Sequence, residues 1–401
     1  MQTSTNNTSP GDKTSLQRIA RFIREALSDN DTDFTSGSTR RALGLLAIPM
    51  MLEMSMEAIF AVVDITFVSR LGTAAVAAVG ITEALITVLY AVAIGLGMGA
   101  TAMVSRRIGA GNPDEAARVT GQAIIVGALL SIGIGAFGVA YAADLLALMG
   151  AEADVIRTGS GFTAILLGGC GSILFLFLLN AAFRGAGDAN VALRALMLAN
   201  GINIMLDPCF IFGLGPFPEL GVSGAAVATT IGRSTGVAYL AWHLFTDAGR
   251  LRLRAGHLAI DIALIRRLLL ISAGGVGQFL IATSSWIAIM RIVALYGSAP
   301  VAAYTIAIRM IEFAILPAWG LGNAAATLVG QNLGAGNADR AAQSVRVASR
   351  IGLVMAACIG SLFLFFPRIL LAAFGMDEPE VVEIGVQLLH REAVTQFNRA
   401  I

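Results

Sequence analysis

The sequence has few of the residues on which enzymes and metal proteins depend. Its 401 residues include 3 cysteines and 3 histidines, and only 13% of them are charged. Cys170, Cys209 and Cys358 lie in apolar runs without metal-ligand spacing, which argues against disulfides and against a zinc site. No HExxH, nucleophile-elbow or Walker sequence occurs, so no enzyme class is indicated. The net charge of +1 gives no sign of nucleic-acid binding.

Apolar sequence, by contrast, is abundant. Hydrophobic residues make up 56% of the chain, which also contains 45 glycines, and the mean hydropathy is +0.78. A soluble protein of this length cannot bury so much apolar surface in a core. Because helices satisfy all their backbone hydrogen bonds within lipid, the composition predicts an all-α, polytopic membrane protein.

Two segments of the chain are copies of one unit. Residues 72–150 align with residues 297–375 at a constant offset of 225 without a gap, and 28 of the 79 positions are identical. The turn sequence Gly-Ala-Gly-Asn at 109–112 recurs at 334–337 in the same register. This duplication determines the expected architecture, which is built from two copies of one unit.

Nine apolar runs are long enough to cross about 30 Å of hydrocarbon, which takes roughly 20 residues. Six of them precede a polar connector and three follow it. Six helices per unit is an even number, so the two repeats are predicted to be parallel and related by an axis along the membrane normal. The runs begin near Leu43, Val79, Gln122, Phe162, Val191, Val222, Leu268, Val301 and Val347.

These runs divide the chain into five predicted parts. The last 12 residues, 390–401, fall where the first copy has the apolar stretch 165–176, yet they are too polar to span. We therefore expect an incomplete second repeat and a C-terminally truncated chain. The parts are a cytoplasmic polar N-terminal tail (1–40), a first lobe of six transmembrane helices (41–245), a cytoplasmic connector (246–267), a partial second lobe of three transmembrane helices (268–388) and an aberrant polar tail (389–401).

Basic residues set the expected orientation. The N-terminal tail and the connectors after spans two, four, six and eight carry 19 positive charges, against four in the other connectors. The positive-inside rule then places the N-terminus in the cytoplasm. We expect a multi-pass protein of the cell (inner) membrane. Within the tail, Leu16, Ile19, Ile23 and Leu27 share one helical face. A short helix on the inner leaflet and a disordered tail both agree with this pattern.

The first span carries three acidic residues on one face, Glu53, Glu57 and Asp64. An ionised side chain at lipid depth costs about 2.5–3.5 kcal/mol, so this face is predicted to look into the protein or a wet cavity. Carboxylates in such places carry protons or bind cations. For Glu53 and Glu57 a structural role near the interface is an equally good interpretation, whereas a functional role is favoured for Asp64.

A second polar stripe lies in the fifth span. Asn200, Asn203 and Asp207 share one helical face, and Pro208 follows directly, which frees a backbone carbonyl one turn earlier. The alternative is a kinked helix whose amides are satisfied internally. Thr229 in the sixth span is one of the nearest hydroxyls, facing either this stripe or its own backbone.

The spans of the second half contain fewer acidic residues. Gln278 is a candidate for lining a central cavity. Arg309 and Glu312 are three residues apart in one predicted helix, and we expect them to pair with each other. Arg291 and Asn323 are the other polar residues at lipid depth.

Four motifs together resemble the multidrug and toxic compound extrusion (MATE) transporters. They read VDITFVSRLG at 63–72, FRGAGD at 183–188, NIMLDP at 203–208 and GVSGAA at 221–226. The resemblance runs from about Arg41 to Gln387. It implies twelve helices in two six-helix lobes, and export of cationic, amphipathic compounds in exchange for protons or sodium.

The same resemblance assigns roles to individual residues. Asp64 matches the titratable aspartate of the family's first helix, Asn203 and Asp207 match its partners in helix five, and Thr229 matches a hydroxyl in helix six. The helix-seven acid of some branches has no counterpart at residues 275–282. The resemblance therefore favours a coupling site in the first lobe.

We therefore predict an antiporter, not an enzyme, that works as a monomer in the lipid bilayer by rocking of two lobes, without a cofactor beyond its coupling ion. A lipid-linked intermediate flippase is one alternative, which a cationic cavity would favour, and a non-functional truncated product is another. The predicted proton or sodium site comprises Asp64, Asn203, Asp207 and Thr229, with sodium at Asp64 and Asp207, and the secondary cavity candidates are Glu53, Glu57, Asn200 and Gln278.

Overall fold

The computed structural model describes residues 10–28, 32–71, 73–246, 249–295, 298–373 and 379–400, and these are almost entirely helical. The side chains of some helical residues, Asp64 and Arg309 among them, lie outside this description. The helices are α1 (Pro10–Ala26), α2 (Thr39–Val68), α3 (Thr73–Gly109), α4 (Pro113–Ala140), α5 (Ala142–Leu148), α6 (Ala153–Gly168), α7 (Cys170–Ala186), α8 (Ala189–Phe212), α9 (Val222–Phe245), α10 (Ile262–Ala294), α11 (Ser298–Gly334), α12 (Ala338–Phe365), α13 (Pro367–Ala373) and α14 (Pro379–Ala400).

The described helices include seven that are long and apolar enough to cross a membrane, and there are eight when the bent pair α6–α7 is counted as one span. The bend of 40° falls at Gly168 and Gly169, where the sequence had predicted an uninterrupted run. The sixth predicted span coincides with α9, which is long enough at 24 residues but less apolar because it carries Arg233 and His243. The chain is therefore a multi-span membrane protein.

The internal repeat is visible in the helix boundaries. Helices α3, α4 and α5 recur as α11, α12 and α13, and both ends of each helix shift by the same 225 residues. Helix α14 follows α13 as α6 follows α5. Since apolar runs alone do not fix where a helix starts, this agreement comes from the turns and caps that the two copies share.

The two copies pack on each other reciprocally. A Cβ placed on Gly95 of α3 would lie 2.5 Å from the backbone nitrogen of Val276 in α10, and one placed on Gly320 of α11 would lie 2.7 Å from the Cα of Met51 in α2. Both pairs of equivalent residues are separated by 225 positions. Each lobe's first helix therefore crosses the second helix of the other lobe, as expected for two parallel repeats, and the predicted fold class is confirmed.

The C-terminal ends of α3 and α11 meet at one end of the bundle. A Cβ on Gly109 would lie 1.8 Å from the carbonyl oxygen of Gln331, and a Cβ on Gly334 would lie 2.0 Å from that of Arg106. Hydrogen bonds join the lobes beside this crossing, since Gln331 Nε2 donates to the Gly185 carbonyl at 3.0 Å and Thr327 Oγ1 to the Arg184 carbonyl at 3.1 Å. The lobes are in contact at this end, which we call the closed end.

The residues predicted as an aberrant polar tail form the last part of α14. Val386, Leu389 and Ala393 are spaced three and four residues apart, and all three are buried in an apolar cluster with Met310 of α11 and Phe363 of α12. The polar residues between them hid this stripe in the sequence. Residues 389–400 are therefore helical, and Leu389 and Ala393 pack this part of α14 into the cluster.

The N-terminal tail also contains a helix. Of the two alternatives for this region, the structure has the helix, α1, which packs against the start of α2. Phe22 lies over Gly44, where an added Cβ would come 2.8 Å from the ring, and Ala26 is buried. Ile19 and Ile23 remain exposed on an adjacent face, as required for contact with a leaflet.

The crossing at the closed end can be tested with two glycines of the same helix. Gly334→Ala is expected to destabilise the protein by about 1–3 kcal/mol, because the new methyl group overlaps the Arg106 carbonyl. At Gly322 nothing lies within 4 Å of an added Cβ, so Gly322→Ala should be neutral or stabilising by up to about 1 kcal/mol. Thermal unfolding in detergent measures both, and equal midpoints would contradict the close crossing.

Candidate cation-binding site

The candidate site lies where α8 and α9 touch at backbone distance. Three glycines of α9 permit this approach. A Cβ on Gly232 would lie 2.5 Å from the carbonyl oxygen of Ala199, one on Gly224 would lie 2.3 Å from that of Phe210, and Gly236 faces the same helix. Small residues at helix contacts are the usual means of close packing in membranes. This contact places the hydroxyl-bearing face of α9 directly against the polar stripe of α8.

Asn203, Asp207 and Thr229 form a hydrogen-bonded group at this contact. With the Asn203 amide oriented to satisfy both of its ends, Nδ2 donates to Asp207 Oδ2 at 2.9 Å and Oδ1 accepts from Thr229 Oγ1 at 3.0 Å. Asp207 is fully buried and Asn203 is 2% exposed. The structure thus brings together three of the four residues predicted for the site, and the Thr229 hydroxyl bonds across to α8.

The donor set of this group suits a proton or a small hard cation. A carboxylate at lipid depth is costly unless its charge is compensated, and sodium prefers oxygen ligands of the kind found on aspartate, asparagine and threonine. Pro208 lies within α8 and has no N–H, so the Ile204 carbonyl one turn earlier has no helical donor. The group therefore combines carboxylate, amide and hydroxyl oxygens, and the Ile204 carbonyl belongs to the same turn of α8.

Asp64, the fourth predicted member, belongs to α2. The backbone there is helical, but the Asp64 side chain lies outside the described residues, so its distance from Asp207 stays a prediction. Two turns earlier on the same helix, Glu57 Oε2 accepts a hydrogen bond from Asn200 Nδ2 of α8 at 3.4 Å. The face of α2 that carries Glu57 is therefore turned towards α8.

Glu53 of α2 forms a buried ion pair that the sequence did not reveal. Its Oε1 lies 2.6 Å from Nη1 of Arg184 in α7, and Asn180 Nδ2 donates to the same oxygen at 3.4 Å. Glu53 is 1% exposed and Arg184 is 9% exposed. The structural interpretation of Glu53 agrees with this pairing. Arg184 had been counted with the connector charges, but α7 continues to Ala186 and buries it.

A second arginine inside the first lobe was also missed. Arg233 of α9 donates from Nη2 to the Tyr90 hydroxyl at 2.7 Å, and its guanidinium carbon lies 5.8 Å from the centre of the Tyr90 ring. Arg233 is one helical turn from Thr229. The available signal was that Arg233 is the single charged residue between Val222 and Phe245, apart from His243.

The polar residues predicted in the second half lie on α10 and α11, and not on the helices that form this group. Gln278 is exposed on α10, a helix that packs against α3, α4 and α11. Arg291 is exposed as well, while Glu312 and Asn323 are half-buried on α11. The predicted pairing of Glu312 with Arg309 involves a side chain outside the described residues and stays a prediction.

A duplicated helical bundle with ionisable groups buried at lipid depth defines a membrane transporter. The MatE family model matches residues 49–209 and 276–398, more than half of the chain. The protein therefore belongs to the MatE family.

Curated relatives agree with this membership. The chain is 28% identical to the probable multidrug resistance protein YoeA of Bacillus subtilis, over 88% of this chain and 77% of YoeA. It is 26% identical to the probable multidrug resistance protein NorM of Thermotoga maritima, over 90% and 78%. It is also 29% identical to the FAD transporter of Shewanella oneidensis, over 85% and 77%.

Solved structures share the fold. A crystal structure of a MATE protein in complex with MaL6 matches with a TM-score of 0.84 and 26% identity, covering 92% of this chain and 82% of that one. An outward-facing MATE transporter matches with a TM-score of 0.84 and 25% identity, over 92% and 81%. A transporter of the same superfamily from Pyrococcus furiosus, described as having a binding pocket of reversed polarity, gives 0.80 and 25%, over 92% and 85%.

Removing one acid should reduce the stability of the protein more at the buried Glu53–Arg184 pair than at a surface ion pair. Glu53→Gln is expected to destabilise the protein by about 3–5 kcal/mol, because Arg184 keeps a buried charge without its partner. Glu115→Gln removes one partner of the half-exposed Arg107–Glu115 pair, which spans 2.7 Å, and should cost less than about 1 kcal/mol.

The double variant Glu53→Met with Arg184→Met should recover part of the loss, since no charge is left buried. Unfolding midpoints in detergent provide the comparison. A double variant as unstable as the sum of both single variants would show that the two side chains do not act as a pair.

Proposed function

We propose that this protein is an antiporter of the cell inner membrane that exports cationic, amphipathic compounds in exchange for protons or sodium. The single observation that carries the proposal is the buried Asn203–Asp207–Thr229 group. A carboxylate in that position is tolerated when it is neutralised, and reversible neutralisation by an ion is what coupled transport requires. Asp64 completes the proposed site, with sodium held between Asp64 and Asp207 in the sodium-coupled version.

The names of the relatives support the substrate class without fixing it. Two of them are named for multidrug resistance and one for FAD, an anionic compound. The acidic residues on α2 and α8 favour a cationic substrate, because a substrate cation and the coupling ion then compete for the same negative charge. Glu57 and Asn200 line the approach to this charge in the proposal.

Helix α2 supplies the mechanical connection in this mechanism. It contacts α8 of its own lobe through Glu57 and Asn200, and α11 of the other lobe through Met51 and Gly320. When an ion neutralises the site, the packing between α2 and α8 changes, and α2 transmits the change to the second lobe. A preference of the ion for one arrangement by a few kcal/mol is enough to shift the two states.

The proposed cycle alternates between two arrangements of the lobes. The connector after α3 lies at the closed end, and with a cytoplasmic N-terminus this connector is cytoplasmic. The described state is then closed towards the cytoplasm. Rocking must separate α3 from α11 at Gly109 and Gly334 to admit a compound from inside the cell.

The proposal predicts that gradient-driven efflux depends on the acids of the site. Asp207→Asn and Asp64→Asn are each expected to reduce efflux from proteoliposomes by at least about tenfold, since a neutral amide cannot exchange a proton or hold sodium strongly. Asp144→Asn, at an exposed aspartate of α5, is the control and should transport normally. Equal numbers of inserted molecules must be verified for all three variants.

Separate proton and sodium gradients identify the coupling ion. Efflux of a cationic dye should follow one of the two gradients and vanish when that gradient is collapsed. Unchanged efflux in Asp207→Asn under the effective gradient would remove Asp207 from the mechanism. Efflux that needs neither gradient would reject coupled antiport altogether.

A further inference from the structure

Residues 32–37, which we call the strap, connect α1 to α2 at the closed end. Asp33 shapes the strap, because its Oδ1 accepts hydrogen bonds from the Thr35 backbone nitrogen at 2.8 Å and from Thr35 Oγ1 at 2.6 Å. These bonds, with one from Ser36, hold the pKa of Asp33 below its usual range. The Asp33 carboxylate therefore stays charged and holds the turn. The main-chain carbonyls of the strap point away from this turn towards two arginines.

Arg250 ties the strap to the first lobe. Its Nη2 donates to the Thr32 carbonyl at 2.5 Å, and its guanidinium carbon lies 5.4 Å from the centre of the Phe34 ring. The same residue reaches back to the first lobe, where its backbone nitrogen donates to Asp188 Oδ2 at 3.2 Å and Nη1 donates to the Ala186 carbonyl at 3.4 Å. The strap and the C-terminal end of α7 are thus held by one side chain.

Arg340 ties the strap to the second lobe. From the first turn of α12, Nη1 donates to the Gly37 carbonyl at 2.6 Å, and Nη2 donates to the Ser36 carbonyl at 2.6 Å and to the Phe34 carbonyl at 3.3 Å. Asn332 of α11 adds a hydrogen bond to the Phe34 carbonyl at 3.4 Å. Hydrogen bonds from a charged donor are the stronger kind, and a planar guanidinium can make several at once.

The contacts of Arg250 lie within the first lobe and its connector, whereas the contacts of Arg340 cross between the lobes. Asn190 of α8 donates to the Ser28 carbonyl at 3.0 Å, so the chain before the strap is held by the first lobe, as Arg250 holds the strap itself. The hydrogen bonds of Arg340 and Asn332, together with Thr39 Oγ1 to Gln343 Oε1 at 2.9 Å, join this segment to the second lobe. Separation of the lobes must break these hydrogen bonds.

We propose that the strap and Arg340 form a latch that stabilises the closed end and sets the balance between the two arrangements of the lobes. The latch rests on the rocking motion of the proposed function. Arg340 is a positioning residue, since it touches neither the ion nor the compound. Because it binds main-chain carbonyls, the latch depends on the shape of the strap and on the position of the charge.

A buried reporter at the closed end tests the latch without any transport. Thr327 is fully buried and contacts the first lobe, so Thr327→Cys, with the three native cysteines replaced by serine, becomes accessible to a maleimide when the lobes separate. In nanodiscs both faces are open to the reagent. Arg340→Gln is expected to raise the rate of modification by at least about tenfold, which corresponds to the net loss of one charged hydrogen bond.

Two controls make the result specific. Arg346→Gln removes the same charge from an exposed position on α12, where Nε donates to the Ala342 carbonyl of its own helix at 3.4 Å, and should leave the rate unchanged. Thr163→Cys reports on the interior of the first lobe, where Thr163 is fully buried and bonded to Thr82 at 2.7 Å. Its modification rate should not respond to Arg340→Gln.

The outcomes separate the latch from simpler explanations. Equal rates at Thr327→Cys in Arg340→Gln and Arg346→Gln would overturn the proposal, and so would a parallel increase at Thr163→Cys, which indicates general loosening. The measurement needs no ion gradient and no exported compound. If efflux fails but Arg340→Gln still raises the rate at Thr327→Cys, the antiporter is rejected and the latch is kept. If efflux depends on the gradient but the rate does not change, the latch is rejected and the antiporter is kept.

Discussion

Backbone contact between the two repeats is the constraint on which the rest of the structure depends. In lipid, apolar side chains gain little by leaving one helix surface for another, so close packing at small residues holds helices together. The contacts at Gly95 and Gly320, and those at Gly109 and Gly334, leave no room for a Cβ. Because the gene unit is duplicated, each contact occurs twice, and the two lobes are joined symmetrically around their common axis.

Helix α2 connects this interface with the buried polar groups. One of its faces carries Glu53 and Glu57, which contact α7 and α8, and Met51 lies against α11 of the other lobe. A long helix shared by a polar site and a lobe interface cannot change its packing on one side without affecting the other. At its N-terminal end α2 begins directly after the strap, so the closed end and the candidate site act on the same helix.

The sequence predicts the parts of this arrangement that depend on local pattern. Periodicity identified the Asn200–Asn203–Asp207 stripe, and the offset of 225 residues identified the repeat. The sequence could not show the partners of these side chains, because which arginine meets Glu53 depends on how the whole bundle places α2 near α7, more than a hundred residues further along the chain. The bend at Gly168 and the buried stripe of α14 were missed for a related reason, since both depend on neighbouring helices and not on the apolar content of a run.

Glu53 and Asp207 differ in the groups that the protein places beside them, and this difference is the reason for assigning the proposed ion coupling to Asp207. Glu53 is already paired with Arg184 at 2.6 Å, and the protein supplies that cation permanently. A proton or sodium ion arriving there would have to displace a buried guanidinium, whose desolvated charge would then be left behind. Asn203 donates a hydrogen bond to Asp207 Oδ2 at 2.9 Å from a side-chain amide, which is neutral and can rotate to serve either state of the carboxyl group. An acid next to neutral, adaptable groups can gain and lose a cation within a transport cycle, whereas an acid fixed by an arginine holds two helices together.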